Sequence, residues 1–442
     1  MTFPLTKKNY DVIVIGAGPA GSLAAKYAAL GGADVLLADK KREIGTPIQC
    51  AGFIPDASEI EDLIPGMTLP DEMKALPKKC VLSKTTKQRL YAPDLKMKEF
   101  DVLGYVLDRR LFDNDLAEQA VTAGADLLCG TRATAIMSDP SRDKEHTVRL
   151  TGVFGEVEVT GKIIIGADGP SSFVGKTFGL VHHKNNHKNN PKNNHKNNHN
   201  NPKNKTDGAA GIAGAPVGPP FERAIGFEYK MTNVDTDENA LEMFFGNQYV
   251  PGGYVWIFPE GKGKANVGLG LRRSLCTENI SARALLNRFI REHPVAAEKL
   301  SRGKVMSVHS GVIPVDGAPE KTATNSVIIT GDAAGQVMAT NGGGIPFAMA
   351  AGKIAGEVAA AAVLKDKRGG GLSVAGYEEK WRAAFGESLA ASVQARKMMD
   401  KFMGSDKMIN AAFKILPAEK LKEMQCGHLP DSLRVALNLM MK

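Results

Sequence analysis

Residues 11–21 read Asp11-Val-Ile-Val-Ile15-Gly16-Ala17-Gly18-Pro19-Ala20-Gly21, and this stretch decides the fold. Asp11–Ile15 is the short, β-branched, apolar run of a buried strand. A glycine turn follows it, then a helical stretch over 22–30 and a second apolar run over 34–38. Within such a β-turn-α-β unit the turn has the form GxGxxG. Gly16 permits the tight turn, Gly18 lets the backbone approach a pyrophosphate, and Gly21, next to Ala20, lets the helix lie close on the strand. The positive helix end then faces the phosphates. Asp39, eighteen residues beyond Gly21, ends the second run, where a carboxylate accepts hydrogen bonds from a ribose. Strand, turn, helix and acid in register predict an α/β protein with a Rossmann-like dinucleotide-binding domain.

Two later runs end alike. Ile163-Ile-Ile-Gly-Ala-Asp168-Gly169 and Val327-Ile-Ile-Thr-Gly331-Asp332 each place a carboxylate at the C-terminal end of an apolar strand, where open α/β sheets bind ligands. Between them, residues 221–272 alternate apolar and polar in several runs, the pattern of an antiparallel sheet with one buried face. A helix is expected over 111–123, one strand over 126–136, an Ala-rich helix over 346–364, and Met-rich helices from Tyr377 onward. The expected organisation is a discontinuous nucleotide domain over 1–52, 101–180 and 305–365. A substrate domain with an antiparallel sheet takes 53–100 and 206–304, and a helical region takes 366–442.

Composition narrows the function classes. At 442 residues and 43% hydrophobic, the chain can bury a large core. Its net charge of +8 would suggest nucleic acid, but residues 182–205 alone hold six lysines and no acid, which leaves +2 for the rest. No nucleic-acid partner is expected. Residues 182–205 also hold five histidines and no apolar residue. That composition reads as a disordered insert, with weak metal binding as the alternative. Five scattered cysteines without a CxxC pair suggest neither disulfides nor a zinc site, so no metal is expected. The first ten residues lack an apolar signal core or an Arg/Ser-rich transit pattern, and an intracellular setting is the expectation.

The three strand-end motifs together resemble the FAD-binding set of the flavoproteins that include the para-hydroxybenzoate hydroxylases. The resemblance implies FAD as cofactor and Asp168 and Asp332 among its contacts, with Asp332 on the ribitol chain. It also implies a helix starting at Gly344 and Ile345 aimed at the pyrimidine end of the flavin, and the Ala133 backbone at the adenine. An arginine before the 111–123 helix should contact the cofactor: Arg109 is the better register, Arg110 the alternative. A second resemblance is more specific. Tyr254-Val-Trp256-Ile-Phe258-Pro259, eight residues, then Gly268-Leu-Gly270, is similar to the YxWxFP…GxG signature of the geranylgeranyl reductase family, including archaeal digeranylgeranylglycerophospholipid reductases. Pro47-Ile-Gln-Cys50-Ala51-Gly52-Phe53 matches that family's segment after the ribose acid, which implies that Cys50 to Phe53 border the flavin.

On a strand, Tyr254, Trp256 and Phe258 project to one face, an aromatic wall suited to a long unsaturated chain, although rings of this kind also simply fill cores. An isolated alkene holds developing charge poorly, so its reduction needs a strong hydride donor, which reduced FAD supplies, and a positioned acid. Cys50 and Tyr254 are both candidates for that acid, and Cys50 could equally be a packed thiol. The chain has no second GxGxxG in the proper context, so electrons should come from an external donor: ferredoxin, reduced deazaflavin or NADPH. The expected substrate is a prenylated lipid of archaeal type, with geranylgeranyl diphosphate as another possibility. Because such a lipid resides in a bilayer, the enzyme should be cytoplasmic and peripheral on the inner face of the membrane. The rivals are an FAD-dependent aromatic hydroxylase and a lipid-binding flavoprotein without turnover. Deleting residues 182–205 should leave soluble yield and flavin content unchanged, since nothing in that composition can join a core; loss of either on gel filtration would contradict this.

Overall fold

The computed structural model describes residues 5, 7–138, 145–153, 155–181, 222–272, 274–276 and 280–428. The 182–205 insert lies outside them. Strand β1 (Asn9–Ile15) leads into helix α1 (Pro19–Leu30) and strand β2 (Val35–Ala38). Strand β3 (Phe53–Pro55) and two short helices, α2 (Ala57–Leu63) and α3 (Asp71–Lys74), precede the hairpin of β4 (Val81–Tyr91) and β5 (Met97–Leu107). Then come α4 (Arg109–Thr122), β6 (Asp126–Leu128), β7 (Thr131–Ser138), β8 (His146–Gly152), β9 (Gly155–Gly166) and α5 (Phe173–Thr177). Strands β10 (Arg223–Thr232), β11 (Ala240–Phe244), β12 (Tyr254–Gly261) and β13 (Lys264–Arg272) are followed by α6 (Ala282–Glu292), α7 (Pro294–Leu300), β14 (Lys304–Pro314) and β15 (Val327–Ile329). Five helices close the described chain: α8 (Ile345–Lys367), α9 (Gly376–Trp381), α10 (Glu387–Met403), α11 (Asp406–Ile415) and α12 (Ala418–Gln425).

These strands form two sheets. The first has the parallel core β6-β2-β1-β9, with β15 parallel to the end of β9 and the antiparallel strands β8 and β7 on the long first half of β9. Near-continuous apolar runs suit it, because Val12, Ile13, Val14, Ile163, Ile164 and Ile165 are all fully buried between layers. The second sheet runs β14-β10-β13-β12-β11-β4-β5-β3. It is antiparallel except for β4 and β11, which pair in parallel. Alternation along β12 and β13 separates its faces. Val255, Ile257, Val267 and Leu269 pack on Leu285, Leu286 and Phe289 of α6, while Trp256 and Phe258 turn to the C-terminal helices.

The expected fold class holds, with three corrections of detail. The single strand expected over 126–136 is two, because Gly130 adopts φ +65° and turns the chain. As a result β6 pairs with β2 and β7 with β8. The divisions expected at 100/101 and 304/305 also cut through β5 and β14, whose ladders make both strands part of the second sheet.

Helix α8 is long and apolar enough to cross a bilayer, yet 72% of its apolar window is buried inside the protein. It lies on α1 through residues that have no side chain to spare. A Cβ on Gly352 would overlap the Ala20 carbonyl, and one on Gly356 would overlap the Ala24 carbonyl and sit 2.9 Å from Tyr27 Cβ. Gly356→Ala should therefore destabilise the fold by about 1–3 kcal/mol through overpacking. Gly376→Ala, at the exposed first residue of α9 with nothing within 4 Å, should be neutral or stabilise by up to about 1 kcal/mol. Thermal denaturation of the two variants should shift in opposite directions.

Candidate active site

The glycine turn is shaped by what surrounds it. Gly16 has φ +104°, and a Cβ there would strike the Ala167 carbonyl and lie 3.0 Å from the Asp168 amide. A Cβ on Gly21 would overlap the Gly16 carbonyl. Gly18 caps α1 with no side-chain partner, and a Cβ on it would meet nothing within 4 Å. The turn is thus rigid on its protein side and open at the helix end, where an anionic group is favoured. Asp39 reaches back to it, with Oδ2 accepting from the Ala17 amide at 2.6 Å and Oδ1 from the Lys41 amide at 2.7 Å. Ala133 is buried on β7 in the adjoining core.

The two strand-end acids differ. Asp168 spends both oxygens locally, on Ser172 Oγ (2.6 Å) and the amides of Phe173 (2.6 Å) and Val174 (3.1 Å). It fixes the turn into α5, and only its backbone approaches Gly16. Asp332 has no hydrogen-bond partner for its carboxylate among the described residues, and burial pushes it up to about 6 against the pull of Arg109. Its loop is held from behind: the Gly331 amide donates to Gln336 Oε1 (2.7 Å), and Gln336 Nε2 donates to the Tyr377 hydroxyl (3.1 Å). Sequence reasoning missed Gln336 and Tyr377, which carry no motif. A Cβ on Gly331 would lie 2.9 Å from Ala20 Cβ, and one on Gly344 would lie 3.4 Å from Asp332 Oδ1. Ala20, Gly331, Asp332 and Gly344 therefore lie together beside the start of α1. Gly344 caps α8 without a side-chain hydrogen bond, and buried Ile345 begins the helix.

Arg109 and Arg110 part ways at the start of α4. Asp108 caps the helix through the amides of Arg110 and Leu111. Arg109 turns inward, bidentate to Asp113 (2.9 Å twice), close enough to the Cys50 thiol to act on it electrostatically. Arg110 is 59% exposed and pairs with Glu43. Cys50 also accepts from the Gly52 amide at 3.4 Å, and burial pushes its thiol up, Arg109 opposing. Gly52, at φ +83°, would place a Cβ 2.5 Å from the Leu107 carbonyl, so the segment can pass only without a side chain there. Ala51 and Phe53 go the other way: both pack with the aromatic wall, Phe53 lying 6.0 Å from Phe258 between ring centroids.

The wall itself runs Tyr254, Trp256, Phe258 with centroids 5.9 and 6.1 Å apart. Strand register explains its depth. Gly226 and Gly270 lie in one row with Tyr254, and Gly268 lies in the next with Trp256, so a floor without side chains adjoins the rings. Trp256 Nε1 donates to Asn266 Oδ1 at 2.7 Å. The Tyr254 hydroxyl donates to the Asn341 carbonyl at 2.5 Å, which ties the wall to the loop before α8. Its proton is therefore already engaged, and burial pushes the phenol up. A small cavity of about 60 Å3 lies here, lined among others by Tyr254, Gly270, Asn341, Gly342, Met399 and Met403. Over the wall, Phe402, Met403, Ile409, Phe413 and Leu416 of α10, α11 and the residue after it face inward as a cover. The buried acid Glu228 of β10, in the row of Gly268 and Trp256, was not foreseen.

Residues 9–194 match the family model for an FAD binding domain, and residues 222–313 that for the geranylgeranyl reductase catalytic domain. Over 419 residues the chain is 34% identical to digeranylgeranylglycerophospholipid reductase 2 of Methanopyrus kandleri, covering 95% of this chain and 93% of that protein. This chain belongs to the geranylgeranyl reductase family. A digeranylgeranylglycerophospholipid reductase of Methanocaldococcus jannaschii is 35% identical over 402 residues, 90% of this chain and 88% of that protein. A crystal structure of a geranylgeranyl bacteriochlorophyll reductase-like protein from Thermoplasma acidophilum is 25% identical, with TM-score 0.74 over 92% of this chain and 91% of that one. The family's cofactor is FAD, and the residues present fit it: open space at Gly18, an unpartnered carboxylate at Asp332 and a helix start at Gly344 free of any side-chain cap. Asp332→Ala should remove a charge-assisted hydrogen bond of about 1.5–3 kcal/mol, so flavin affinity should fall on the order of tenfold or more. The ratio of flavin to protein absorbance after gel filtration reads this directly, and unchanged occupancy would mean that the Gly-Asp turn does not hold the cofactor.

Proposed function

We propose that this protein is an FAD-dependent reductase that saturates the C=C bonds of geranylgeranyl chains in archaeal-type digeranylgeranylglycerophospholipids, a step of membrane lipid biosynthesis. The observation that carries the reading is the aromatic wall of Tyr254, Trp256 and Phe258, bordered by a glycine floor and roofed by apolar helices. A multiply unsaturated apolar chain matches the chemistry of such a surface. The match of residues 222–313 to the reductase catalytic domain disfavours the hydroxylase alternative.

Reduced FAD, when bound, supplies a hydride. The protein's part is to exclude water, hold the alkene flat and provide a proton. Burial favours neutral forms of Cys50 and Tyr254, so both are acids rather than bases. Cys50 is the better-supported donor, since the Tyr254 proton is engaged with Asn341. Electrons come from an external reductant: ferredoxin, reduced deazaflavin or NADPH. Because the substrate is a membrane lipid, the enzyme works as a peripheral protein on the cytoplasmic face. The Met- and Phe-rich helices near the C-terminus direct most of their apolar residues inward, so they serve this reading as a flexible cover more than as an anchor.

Co-expression with an unsaturated archaeal-lipid pathway and a competent electron donor should give lipids heavier in steps of about 2 Da, one step for each double bond reduced by a two-electron flavin. Mass spectrometry of extracted lipids checks this. Unchanged masses in the presence of a full flavin complement would overturn the substrate assignment.

A further inference from the structure

Glu228 is a carboxylic acid where the fold has no structural need for one. It is 3% exposed on β10, in the cross-strand row of Gly268, Trp256 and, on β14, His309. Gly268 makes room for it: a Cβ there would lie 2.6 Å from Glu228 Cβ and would overlap the Trp256 ring. Asn266 on β13 is its polar neighbour, but no well-formed hydrogen bond reaches Glu228 Oε1 or leaves Asn266 Nδ2. An orphaned buried carboxylate costs far more than a buried carboxylic acid. The charged groups around it are mixed. Arg109 from α4 and Lys230 from its own strand attract, Glu260 from β12 repels, and His309 is turned to Ser307 at 2.8 Å with burial holding it below its usual value. Burial outweighs them and pushes Glu228 up to about 7. The segment that carries Cys50 lies over the same strands, since a Cβ on Gly311 of β14, two residues from His309, would come 3.1 Å from the Gln49 carbonyl, and a charge on Glu228 raises the Cys50 thiol further.

We propose that Glu228 is the proton store of the site, which re-protonates Cys50 after the thiol has given its proton to the alkene. This rests on the reductase reading above. The balance is simple. The hydride, which carries both electrons, would come from the reduced cofactor and form one new C–H bond. The Cys50 S–H bond breaks to supply the proton of the second C–H bond, the π bond being consumed. The thiolate takes its proton from the Glu228 carboxyl by way of water, and solvent restores Glu228. Glu228 acts through the thiol and is thus a positioning residue, distinct from the donor itself. The arrangement also explains why an acid sits beside a group that must not remain a thiolate: the charge left on Glu228 disfavours a charge on sulfur.

The test uses the FAD-loaded protein and needs no lipid. Alkylation of Cys50 by neutral iodoacetamide, followed by peptide mass spectrometry across pH 6–10, reports the thiolate. In the wild type the profile should bend near pH 7, where Glu228 ionises. In Glu228→Gln the bend should vanish and the half-point should move down by roughly half a pH unit or more, because the repelling charge is gone. Glu228→Asp should restore the bend. Infrared difference spectra should show a buried carboxylic acid band that titrates in the wild type and is lost in Glu228→Gln. With an active lipid assay, Glu228→Gln should lower turnover on the order of 10²-fold at unchanged flavin content. Superimposable alkylation profiles for wild type and Glu228→Gln would overturn the coupling, and wild-type turnover in that variant would overturn its role. Unchanged lipid masses together with a shifted alkylation profile would instead mean that the coupling stands and the reductase reading fails.

Discussion

The close approach of α1 to the Gly-Asp loop and to α8 is the constraint on which the site depends. Ala20 sits where Gly331 and Gly352 both meet it without Cβ atoms. Any larger side chain at either place would push the Asp332 carboxylate or the α8 N-terminus away from the phosphate turn. Backbone dipoles at a helix start act over about one turn, so a displacement of that size would remove them from reach of a ligand. The same contact converts a helix apolar enough for a bilayer into the core of this protein. Packing therefore decides both where the cofactor is held and why α8 is not exposed.

Arg109 is the second organising element. It is a nearly buried cation paired with Asp113, and it lies close enough to Cys50, Asp332 and Glu228 to influence all three. Without it, burial would push each of those groups further towards its neutral form. With it, Asp332 at about 6 and Glu228 at about 7 stay where a proton can be gained or lost near neutral pH, while the Cys50 thiol remains above its ordinary value. Its position follows from the cap at Asp108, which begins α4 one residue earlier and points Arg109 inward and Arg110 to solvent.

Local sequence made the phosphate turn, the strand-end acids and the aromatic signature legible, because each is a run of neighbours with one chemical purpose. Other features depend on residues far apart in the chain. Asn341 beneath the Tyr254 hydroxyl, Gln336 and Tyr377 behind the Gly-Asp loop, and Glu228 beside Trp256 become visible only once strand register is fixed. The membership of β5 and β14 in the second sheet was hidden for a related reason: ladder partners, rather than the alternation within a strand, decide which sheet a strand joins. Gly130 was the one local signal passed over. A glycine inside a strand pattern often marks a break, and here it divides β6 from β7.

The roof over the aromatic wall poses the remaining physical problem, since a long lipid chain cannot enter while Phe402, Met403, Phe413 and Leu416 fill that space. Two features set how it can open. The cover is rich in Met, whose unbranched side chain repacks at little cost, and α10 is fastened by Arg272 on Asp400 and by Arg396 on Asp316, Arg396 and Asp400 pairing along the helix itself. Buried pairs of this kind are costly to break by halves, so the fastening holds while the apolar portion yields. α11 is tied at its start, where Asp406 accepts from the Asn247 backbone and side-chain amides, and α12 at its end, where Thr340 Oγ1 donates to the Gln425 carbonyl. The Thr340 contact adjoins the Tyr254–Asn341 link, so the cover and the loop before α8 are held as one unit, and the Met side chains are the part that can repack.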